Sequence, residues 1–499
     1  MLTAVFSQII ISLSIQREVI TVIGRRKEIA ELNELYNNGN AEFVAIYGRR
    51  RVGKTYLVDE TMSGRITFRH TGLSPIESKT SHVRPLKAQL TAFYYSLLQH
   101  GMKRSHCPKD WLEAFFMLEQ LLQDKDNGTR QVVFIDELPW LDTARSGFIT
   151  AFEGFWNGWG CHRKNLMVIV CGSANSWILD KLINNHGGLY NRVTHEIKLE
   201  PFTLKECEEC LRSRNVIMSR YDIAQCYMIL GGIPYYLNYL QRGKSLAQNV
   251  NELFFTPTGV LTQEYQRLFA SVFSNPEMMK KIVELLAQKN AGYTRSEISE
   301  LTGIPDGGML SQALNALIVS DFIIRYTPFT CSKRNEHYKL MDPFCIFYIR
   351  FVKTGNSTGE NFWLEHFDSQ SITSWRGFAF ENVCFHHIAQ IKAALGIQGV
   401  STTQSAWSKI PNEETGTQID LIIERKDNII NMCEIKFYSD DFAVDKSYDK
   451  VLRNRTSLLQ QTIPRKMAIH STLITTYGLK YNEYSSDFSN VITLDDLFT

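Results

Sequence analysis

The residues from Gly48 to Thr55 have the types and the spacing that bind phosphate groups. They fit the pattern G-x-x-x-x-G-K-[ST] without a gap, follow an apolar run and open a helical stretch. The glycines let backbone N–H groups turn towards a β-phosphate, Lys54 brings positive charge to the β- and γ-phosphates, and the Thr55 hydroxyl can ligate Mg²⁺. We therefore predict nucleotide contacts along the whole loop and the residue after it: Gly48, Arg49, Arg50, Arg51, Val52, Gly53, Lys54, Thr55 and Tyr56.

Two carboxylates follow a second apolar run, at Asp136 and Glu137. Because ligands bind at the carboxyl ends of strands in parallel sheets, both acids are expected beside the phosphate loop. Asp136 is predicted to hold Mg²⁺ through water, and Glu137 to polarise an attacking water molecule. Together the two motifs predict ATP hydrolysis and not binding alone.

A third set of charged residues lies near the C-terminus. Glu381 falls on a predicted helix, Asp420 begins an apolar strand, and Glu434 and Lys436 end the next strand, where the period of two puts them on one face. A hairpin through residues 426–428 would bring Asp420 near them. Such carboxylates can bind Mg²⁺ or Mn²⁺, and Lys436 can steer water or stabilise charge on phosphate. A half-buried strand pair with charged ends is the alternative.

The elements that must position these groups can be read from hydrophobic periodicity. Apolar runs at Glu42–Tyr47, Gln131–Ile135 and Asn165–Cys171 predict buried parallel strands. A helical stretch from Thr203 to Leu240, interrupted by Gly231, Gly232 and Pro234, predicts a lid on this sheet.

Three helices and a hairpin, predicted between Met278 and Leu340, indicate a winged helix-turn-helix. Its recognition helix, residues 308–319, is poor in Lys and Arg and would expose Ser311, Gln312 and Asn315. DNA binding is one interpretation. A spacer or a protein contact is the other.

The N-terminal half resembles the STAND and archaeal-type ATPases of the AAA+ P-loop class. Val22 to Glu28, with Gly24 and Arg25, is similar to the family's N-terminal box near the adenine. Cys171-Gly172-Ser173 resembles its sensor segment, with Ser173 or Asn175 as the polar group.

Two further stretches carry the same resemblance. Leu189 to Arg192 is similar to the arginine-bearing stretch before the lid, and Gly232-Ile233-Pro234 to the G-x-P lid motif, so Pro234 is expected at the nucleotide. The resemblance implies that Arg192 serves the γ-phosphate or acts as a finger towards a second copy. Asn191 stands where the family usually has glycine, and a surface salt bridge is the other interpretation of Arg192.

The C-terminal part resembles the PD-(D/E)XK nuclease core, and its combination with a winged helix resembles a domain of unknown function fused to archaeal-type ATPases. The resemblance implies that Asp420 is the motif aspartate, Glu434 the second acid, Lys436 the lysine and Glu381 the helix acid. Ile419 replaces the proline that names the motif. An intact fold without nuclease activity is the alternative.

Composition sets the limits of these interpretations. The 499 residues are 44% hydrophobic and 21% charged, which predicts folded domains and excludes a disordered or low-complexity chain. A net charge of +2 means that DNA contacts must come from local patches. Ten scattered cysteines fit a reducing cytoplasm, and no apolar run reaches a transmembrane length, the apolar start at Met1–Ile15 included.

The expected architecture is therefore α/β: a P-loop NTPase with an AAA+-like parallel sheet and helical lid, a winged helix and a restriction-endonuclease-like α/β domain. The predicted boundaries are an N-terminal extension at 1–20, the ATPase domain at 21–200, the lid at 201–275, the winged helix at 276–350 and the nuclease-like domain at 351–499.

The expected function is ATP binding and hydrolysis that control a C-terminal DNA-binding or DNA-cleaving module. ATP, Mg²⁺ or Mn²⁺, DNA and a nucleotide-dependent homo-oligomer are the expected cofactors and partners, with no membrane. The alternative is a nucleotide-dependent switch or scaffold that binds DNA or protein without cutting.

Overall fold

A computed structural model describes residues 22–74, 84–184, 187–329, 331, 335–353, 359–409 and 417–499. The predicted N-terminal extension, residues 1–20, lies outside the described residues. Along the described chain, no helix has both the length and the apolar character to cross a membrane.

The N-terminal unit is built on a five-stranded parallel sheet of order β2-β3-β4-β1-β5. The strands are β1 (Glu42–Tyr47), β2 (Ile66–Thr71), β3 (Gln131–Asp136), β4 (Leu166–Gly172) and β5 (His195–Lys198). The three predicted apolar runs are confirmed as β1, β3 and β4, which occupy the buried centre of the sheet. The hydrophobic pattern of the sequence did not predict the edge strands β2 and β5, because polar residues interrupt them.

Helices cover both faces of this sheet and give it two apolar cores. They are α1 (Arg26–Asn37), α2 (Lys54–Thr61), α3 (Pro85–Gln99), α4 (Trp111–Asp124), α5 (Phe148–Gly158) and the short α6 (Asn175–Ile178). Helices α3, α4 and α5 enclose one core with aromatic side chains. The other core, on the face of α1 and α2, continues into the rest of the chain. The phosphate loop therefore lies beside an apolar core that continues from the parallel sheet into the later parts of the chain.

The predicted helical stretch after the sheet is present as several short helices. These are α7 (Leu204–Ser213), α8 (Arg220–Leu230), α9 (Pro234–Leu237), α10 (Leu246–Phe254) and α11 (Glu264–Val272). Gly231 and Gly232 both have positive φ, at 70° and 64°. A Cβ on Gly232 would lie 2.3 Å from the Phe202 carbonyl oxygen, so this tight turn between α8 and α9 requires glycine.

The next unit contains the predicted three helices and hairpin. The helices are α12 (Pro276–Leu286), α13 (Arg295–Thr302) and α14 (Gly308–Val319), and the strands are β6 (Tyr293–Thr294), β7 (Ile323–Tyr326) and β8 (His337–Leu340). The strands form an antiparallel sheet of order β6-β8-β7. We call residues 276–340 the three-helix unit.

The C-terminal unit holds a mixed five-stranded sheet of order β15-β13-β11-β10-β9. Its helices are α15 (Pro343–Phe347), α16 (Phe362–His366), α17 (Gln370–His386), α18 (Ile388–Ala394) and α19 (Lys446–Thr462). Its strands are β9 (Thr402–Lys409), β10 (Thr417–Arg425), β11 (Ile429–Lys436), β12 (Phe442–Ala443), β13 (Ala468–Thr475), β14 (Leu479–Lys480) and β15 (Asn490–Thr493). The predicted hairpin between β10 and β11 is confirmed, and β11 and β13 are parallel.

The lid helices pack directly on the C-terminal unit. The Leu204 N–H donates to Nε2 of His387 over 3.0 Å, which joins the start of α7 to the end of α17. Tyr221 of α8 stacks on Phe437, with ring centroids 4.8 Å apart. The first and last parts of the chain are thereby in contact through the lid.

Candidate functional site

The phosphate loop lies between the end of β1 and the start of α2, as predicted. Gly48 has a φ of 143°, and a Cβ there would lie 2.1 Å from the Leu199 carbonyl oxygen, which explains the first glycine of the motif. Lys54 Nζ donates to the carbonyls of Gly48 (2.8 Å) and Arg49 (3.1 Å). Burial lowers the pKa of Lys54, so its charge lies in an interior position where an anion would be strongly attracted.

Asp136 gathers three hydrogen bonds at the end of β3. The Thr55 hydroxyl donates to its Oδ2 over 2.9 Å, and the Cys171 thiol and the Glu137 backbone N–H donate to its Oδ1 over 2.7 and 2.9 Å. The structure therefore brings together the two predicted magnesium ligands of this site, Thr55 and Asp136. Cys171 is a contact that the motifs did not predict.

Glu137 is held by Ser173, the predicted sensor residue at the end of the neighbouring strand. The Ser173 backbone N–H and hydroxyl both donate to the Glu137 carboxylate over 3.1 Å. Burial raises the pKa of Glu137, while the positive charge of Lys54 opposes that rise. This half-buried carboxylate therefore lies beside the phosphate loop, at the position predicted for the base.

The residues of the loop fit a nucleotide phosphate with Mg²⁺. Arg50 has a buried Nη1 without a hydrogen-bond partner in the described part of the chain, and its charge interacts with that of Lys54. The Cβ position of Gly53 has no atom within 4 Å, so space is open at the second glycine. A buried guanidinium nitrogen without an acceptor and an ammonium group are the donors that phosphate oxygens require. Thr55 and Asp136 would hold the metal ion.

The side chains of Arg49 and Arg51 point away from the loop towards downstream acids. Arg49 forms a buried ion pair with Asp342, immediately before α15. Arg51 pairs with Glu264 of α11 at 2.6 Å and lies over the Tyr235 ring. These two arginines can offer backbone groups to a nucleotide, while their side chains tie the loop to later elements.

Asn175 connects the same loop to the three-helix unit. Its Oδ1 accepts from the Gly48 N–H and its Nδ2 donates to the Val319 carbonyl at the end of α14, both over 2.9 Å. Asn175 is fully buried. Of the two candidate sensor residues, Ser173 thus contacts the predicted base and Asn175 contacts the loop.

The remaining predicted nucleotide contacts lie around this centre. The Arg25 guanidinium donates to the carbonyls of Val52 (3.4 Å) and Glu200 (2.6 Å), which ties the N-terminal box, with Gly24, to the loop. Pro234 starts α9, one residue before the tyrosine that covers Arg51. Arg192 is exposed, and its side chain forms no hydrogen bond or ion pair within the described ranges, so the structure does not bring it to the loop.

The predicted recognition helix α14 borders a cleft that it shares with residues of the ATP-binding unit. Ser311, Gln312 and Asn315 are exposed, as predicted. Ser311 and Asn315 line a cavity of about 690 Å³ together with Arg49 and Asp342. In this arrangement two of the three residues predicted to contact DNA bases face the ATP-binding unit.

At the C-terminal site, Glu381, Asp420 and Lys436 line one cavity of about 600 Å³. Burial, and then the charge of Asp420, raise the pKa of Glu381 to about 7. Burial and the charge of Glu434 likewise raise the pKa of Asp420. The structure therefore brings the helix acid, the motif aspartate and the lysine together.

Glu434 is turned into an internal ion pair. Both of its carboxylate oxygens accept from Nη1 of Arg455, at 2.6 and 2.5 Å, and Oε2 also accepts from the Tyr448 hydroxyl at 2.7 Å. Both partners lie on α19, and neither was predicted from the sequence. Within the described ranges, no three His, Cys, Asp or Glu side chains are grouped so that they could hold a metal ion. This differs from the expected three-carboxylate set: Glu434 does not line the cavity of Glu381 and Asp420, and its oxygens accept from Arg455 and Tyr448.

Comparison with known proteins agrees with the phosphate-loop geometry. Residues 23–240 match the model of a family described as an ATPase domain predominantly from Archaea. This stretch is an archaeal-type ATPase domain. The domain has the predicted P-loop ATPase-like fold with a parallel sheet, and its matched range runs from the N-terminal box to the end of the predicted lid stretch.

Similar proteins extend beyond this domain. An uncharacterized protein of Methanocaldococcus jannaschii is 27% identical over 377 residues, which cover 74% of this chain and 77% of that protein. A Walker-type ATPase of Pyrococcus abyssi is 20% identical, covers 66% of this chain and 96% of its own, and has a TM-score of 0.45. The ORC2 protein of Aeropyrum pernix, solved as ADPNP–ADP complexes, is 13% identical, covers 71% and 99%, and has a TM-score of 0.41.

Proposed function

We propose that this chain binds and hydrolyses ATP at the P-loop and that its nucleotide state controls the C-terminal module. Lys54 and Arg50 would neutralise the phosphates, Thr55 and Asp136 would hold Mg²⁺, and Glu137 would orient and deprotonate the attacking water. Support comes from the contacts of these residues: the two metal ligands are hydrogen-bonded to each other, and the base is held by Ser173. Exposed Arg192 is proposed as a finger towards a second copy in a nucleotide-dependent homo-oligomer.

The control of the C-terminal module rests on one observation. The P-loop arginines pair with acids that lie outside the ATPase domain, Arg49 with Asp342 and Arg51 with Glu264. A phosphate group that draws the loop backbone inward would strain these pairs, because both are formed by residues of the loop itself. Nucleotide binding can therefore act on residues 264–342 through these two ion pairs.

For the downstream units, we propose the predicted boundaries, with a winged helix at 276–350 and a PD-(D/E)XK-like domain at 351–499. In this proposal Glu381, Asp420, Glu434 and Lys436 serve phosphodiester chemistry, with the three acids as ligands of Mg²⁺ or Mn²⁺. Such activity requires Arg455 to release Glu434, since a carboxylate bound at both oxygens has little capacity left for a metal ion.

A second candidate function is a nucleotide-dependent switch or scaffold without nuclease activity. The internal pairing of Glu434 favours it, as does the position of Ser311 and Asn315, which line the cleft that α14 shares with the ATP-binding unit. In that case the C-terminal module binds DNA or protein and does not cut.

The test uses the full chain with plasmid and linear DNA, Mg²⁺ or Mn²⁺, and ATP present or absent. Lys54→Ala should abolish ATP hydrolysis, whereas Glu434→Gln should leave it intact and abolish DNA cleavage. Glu424→Gln, on the same sheet, is the matched control. Cleavage that disappears in Glu434→Gln and persists in Glu424→Gln supports a nuclease. ATP hydrolysis without cleavage in any variant supports the switch, and a parent chain without ATP hydrolysis overturns the proposal.

A further inference from the structure

Cys171 lies beside the predicted metal ligand Asp136 in the parallel sheet of the ATPase domain. Strands β3 and β4 are neighbours, and Ile135 pairs with Val170 in their register, so Asp136 and Cys171 follow side by side near the ends of the two strands. Cys171 is fully buried, in the apolar core that also contains residues of α2. The thiol therefore reaches Asp136 from the neighbouring strand, while Thr55 reaches it from the start of α2.

The two carboxylate oxygens of Asp136 have different sets of donors. Oδ1 accepts from the Cys171 thiol over 2.7 Å and from the Glu137 N–H over 2.9 Å. Within the described part of the chain, Oδ2 accepts from the Thr55 hydroxyl alone, over 2.9 Å. A carboxylate oxygen offers about two lone pairs, so both are used at Oδ1 and one is left at Oδ2. The oxygen with remaining capacity is therefore the one next to Thr55, the other predicted ligand of Mg²⁺.

The Cys171 thiol is the donor to Oδ1 that comes from a separate strand. The Glu137 N–H belongs to the next residue of the chain, so it moves with the backbone of Asp136. Without the thiol, Oδ1 would keep only this local donor among the described residues. Ile46, which pairs with Cys171 on β1, is fully buried and has an apolar side chain that cannot replace it. The thiol thus fixes the rotation of the carboxylate relative to the sheet.

We propose that Cys171 is a positioning residue of the ATP site, whose thiol holds Oδ1 of Asp136 and thereby turns Oδ2 towards Thr55 and the metal ion. This inference rests on the proposed function and concerns the binding of the metal ion, not the attack on the phosphate. Groups that orient a metal ligand commonly change metal affinity by about 10- to 100-fold when they are removed. Because a thiol is a weak donor, we expect the lower end of this range.

The experiment measures Mn²⁺ binding to the full chain in the presence of a non-hydrolysable ATP analogue, with free Mn²⁺ followed by electron paramagnetic resonance. A titration of the analogue alone gives the baseline. Cys171→Ala and Cys171→Val both remove the donor, and Val also fills the space, so each should weaken Mn²⁺ binding by about tenfold. Cys171→Ser keeps a donor and should stay within about threefold of the parent.

Cys226→Ala is the matched control, because Cys226 is a buried cysteine of the same apolar core that forms no hydrogen bond through its side chain within the described ranges. It should lower the free energy of unfolding and leave Mn²⁺ affinity unchanged. A purely structural role of Cys171 would give this same result.

A second readout is the Mg²⁺ dependence of ATP hydrolysis. The half-saturating Mg²⁺ concentration should rise about tenfold in Cys171→Ala and Cys171→Val, whereas kcat at saturating Mg²⁺ should change less. Unchanged Mn²⁺ binding in folded Cys171→Val, or equal weakening in Cys171→Ser and Cys171→Ala, overturns the inference. A parent chain that binds no Mn²⁺ beyond the baseline also overturns it. The Mn²⁺ titration requires no hydrolysis, so failure of the proposed ATPase activity is distinguishable from failure of this role of Cys171.

Discussion

Glu137 and Asp136 are adjacent carboxylates with different surroundings. Asp136 accepts from Thr55 and Cys171, next to the loop threonine that would share its metal ion. Among the described residues, the Glu137 side chain accepts from Ser173 alone, and its backbone lies in the left-handed region, with a φ of 47°. The two carboxylates thus have different hydrogen-bond partners, in keeping with the proposed division between a metal ligand and a base.

Glu137→Gln tests this separation. The amide keeps an acceptor for Ser173 but cannot take a proton, so the rate of ATP hydrolysis should fall by about 10²- to 10⁴-fold. ATP affinity should change little, because Lys54 and Thr55 are untouched. Steady-state hydrolysis and titration with a fluorescent ATP analogue measure the two effects. Glu34→Gln, an exposed substitution on α1, is the control, and a loss of affinity equal to the loss of rate would contradict the assigned role.

At the scale of elements, β11 and α19 are joined by a buried charge pair. Glu434 of β11 is 0% exposed, and Arg455 of α19 reaches it across the sheet face. Truncating one member of such a pair leaves an uncompensated buried charge, whereas replacing both by apolar residues is often tolerated.

Arg455→Met should therefore destabilise the chain by about 3–5 kcal/mol, since Glu434 would keep only Tyr448 as a partner. Arg455→Met combined with Glu434→Met should recover most of this loss. Denaturant unfolding of both variants measures the difference, and Arg453→Met, two positions earlier on the exposed face of α19, is the matched control. A double variant that is no more stable than Arg455→Met would show that packing, and not charge, holds the helix.

A second inter-element contact predicts a pH dependence. Burial lowers the pKa of His387 from 6.5 to about 4, and its Nε2 accepts from the start of α7. The unfolded chain binds a proton at His387 more readily than the folded chain does. The contribution of neutral His387 to the free energy of unfolding is therefore complete above about pH 6.5 and is lost as the pH falls towards 4. The full loss amounts to about 3 kcal/mol.

His387→Gln should remove this part of the acid sensitivity, because the amide oxygen can accept from Leu204 without titrating. The unfolding midpoint in urea at pH 7 and at pH 5 checks the expectation. The parent chain should lose more stability between the two pH values than the variant does. Equal losses in both proteins would assign the acid sensitivity to other buried groups, such as His70.

The contrast between predicted and observed features is clearest at this scale. β1, β3 and β4 were predictable because strands buried on both faces consist of uninterrupted apolar residues. The phosphate loop was predictable because its chemistry is local to eight consecutive residues. Arg455 and Tyr448 were not, since each meets Glu434 only after α19 packs on the sheet, and nothing in their own neighbourhoods marks them.

At the scale of the whole molecule, the P-loop lies where all downstream units converge. Arg51 contacts α11, Arg49 contacts the residue before α15, and Asn175 contacts the end of α14. These contacts are buried or nearly so, in an apolar core that runs from the ATPase domain to the C-terminal unit. A packed interior of this kind has few intermediate arrangements, so a local change at the loop favours a concerted shift of the units.

Asn175→Ala should uncouple this shift from nucleotide binding. The substitution removes the hydrogen bonds to Gly48 and Val319 but leaves Lys54 and Thr55 in place, so ATP affinity should stay within about threefold of the parent value. Hydrogen exchange of α14 and β8 should respond to a non-hydrolysable ATP analogue in the parent chain and not in the variant.

Asn157→Ala is the matched control, because it removes a side-chain amide that donates over a similar distance, 2.8 Å, to the Gly188 carbonyl of the same domain. It should leave the nucleotide response of α14 intact. If α14 still responds to nucleotide in Asn175→Ala, the signal must travel through the pairs of Arg49 and Arg51. Asp342→Asn and Glu264→Gln would then each be expected to weaken the response, because each leaves one loop arginine without its acid.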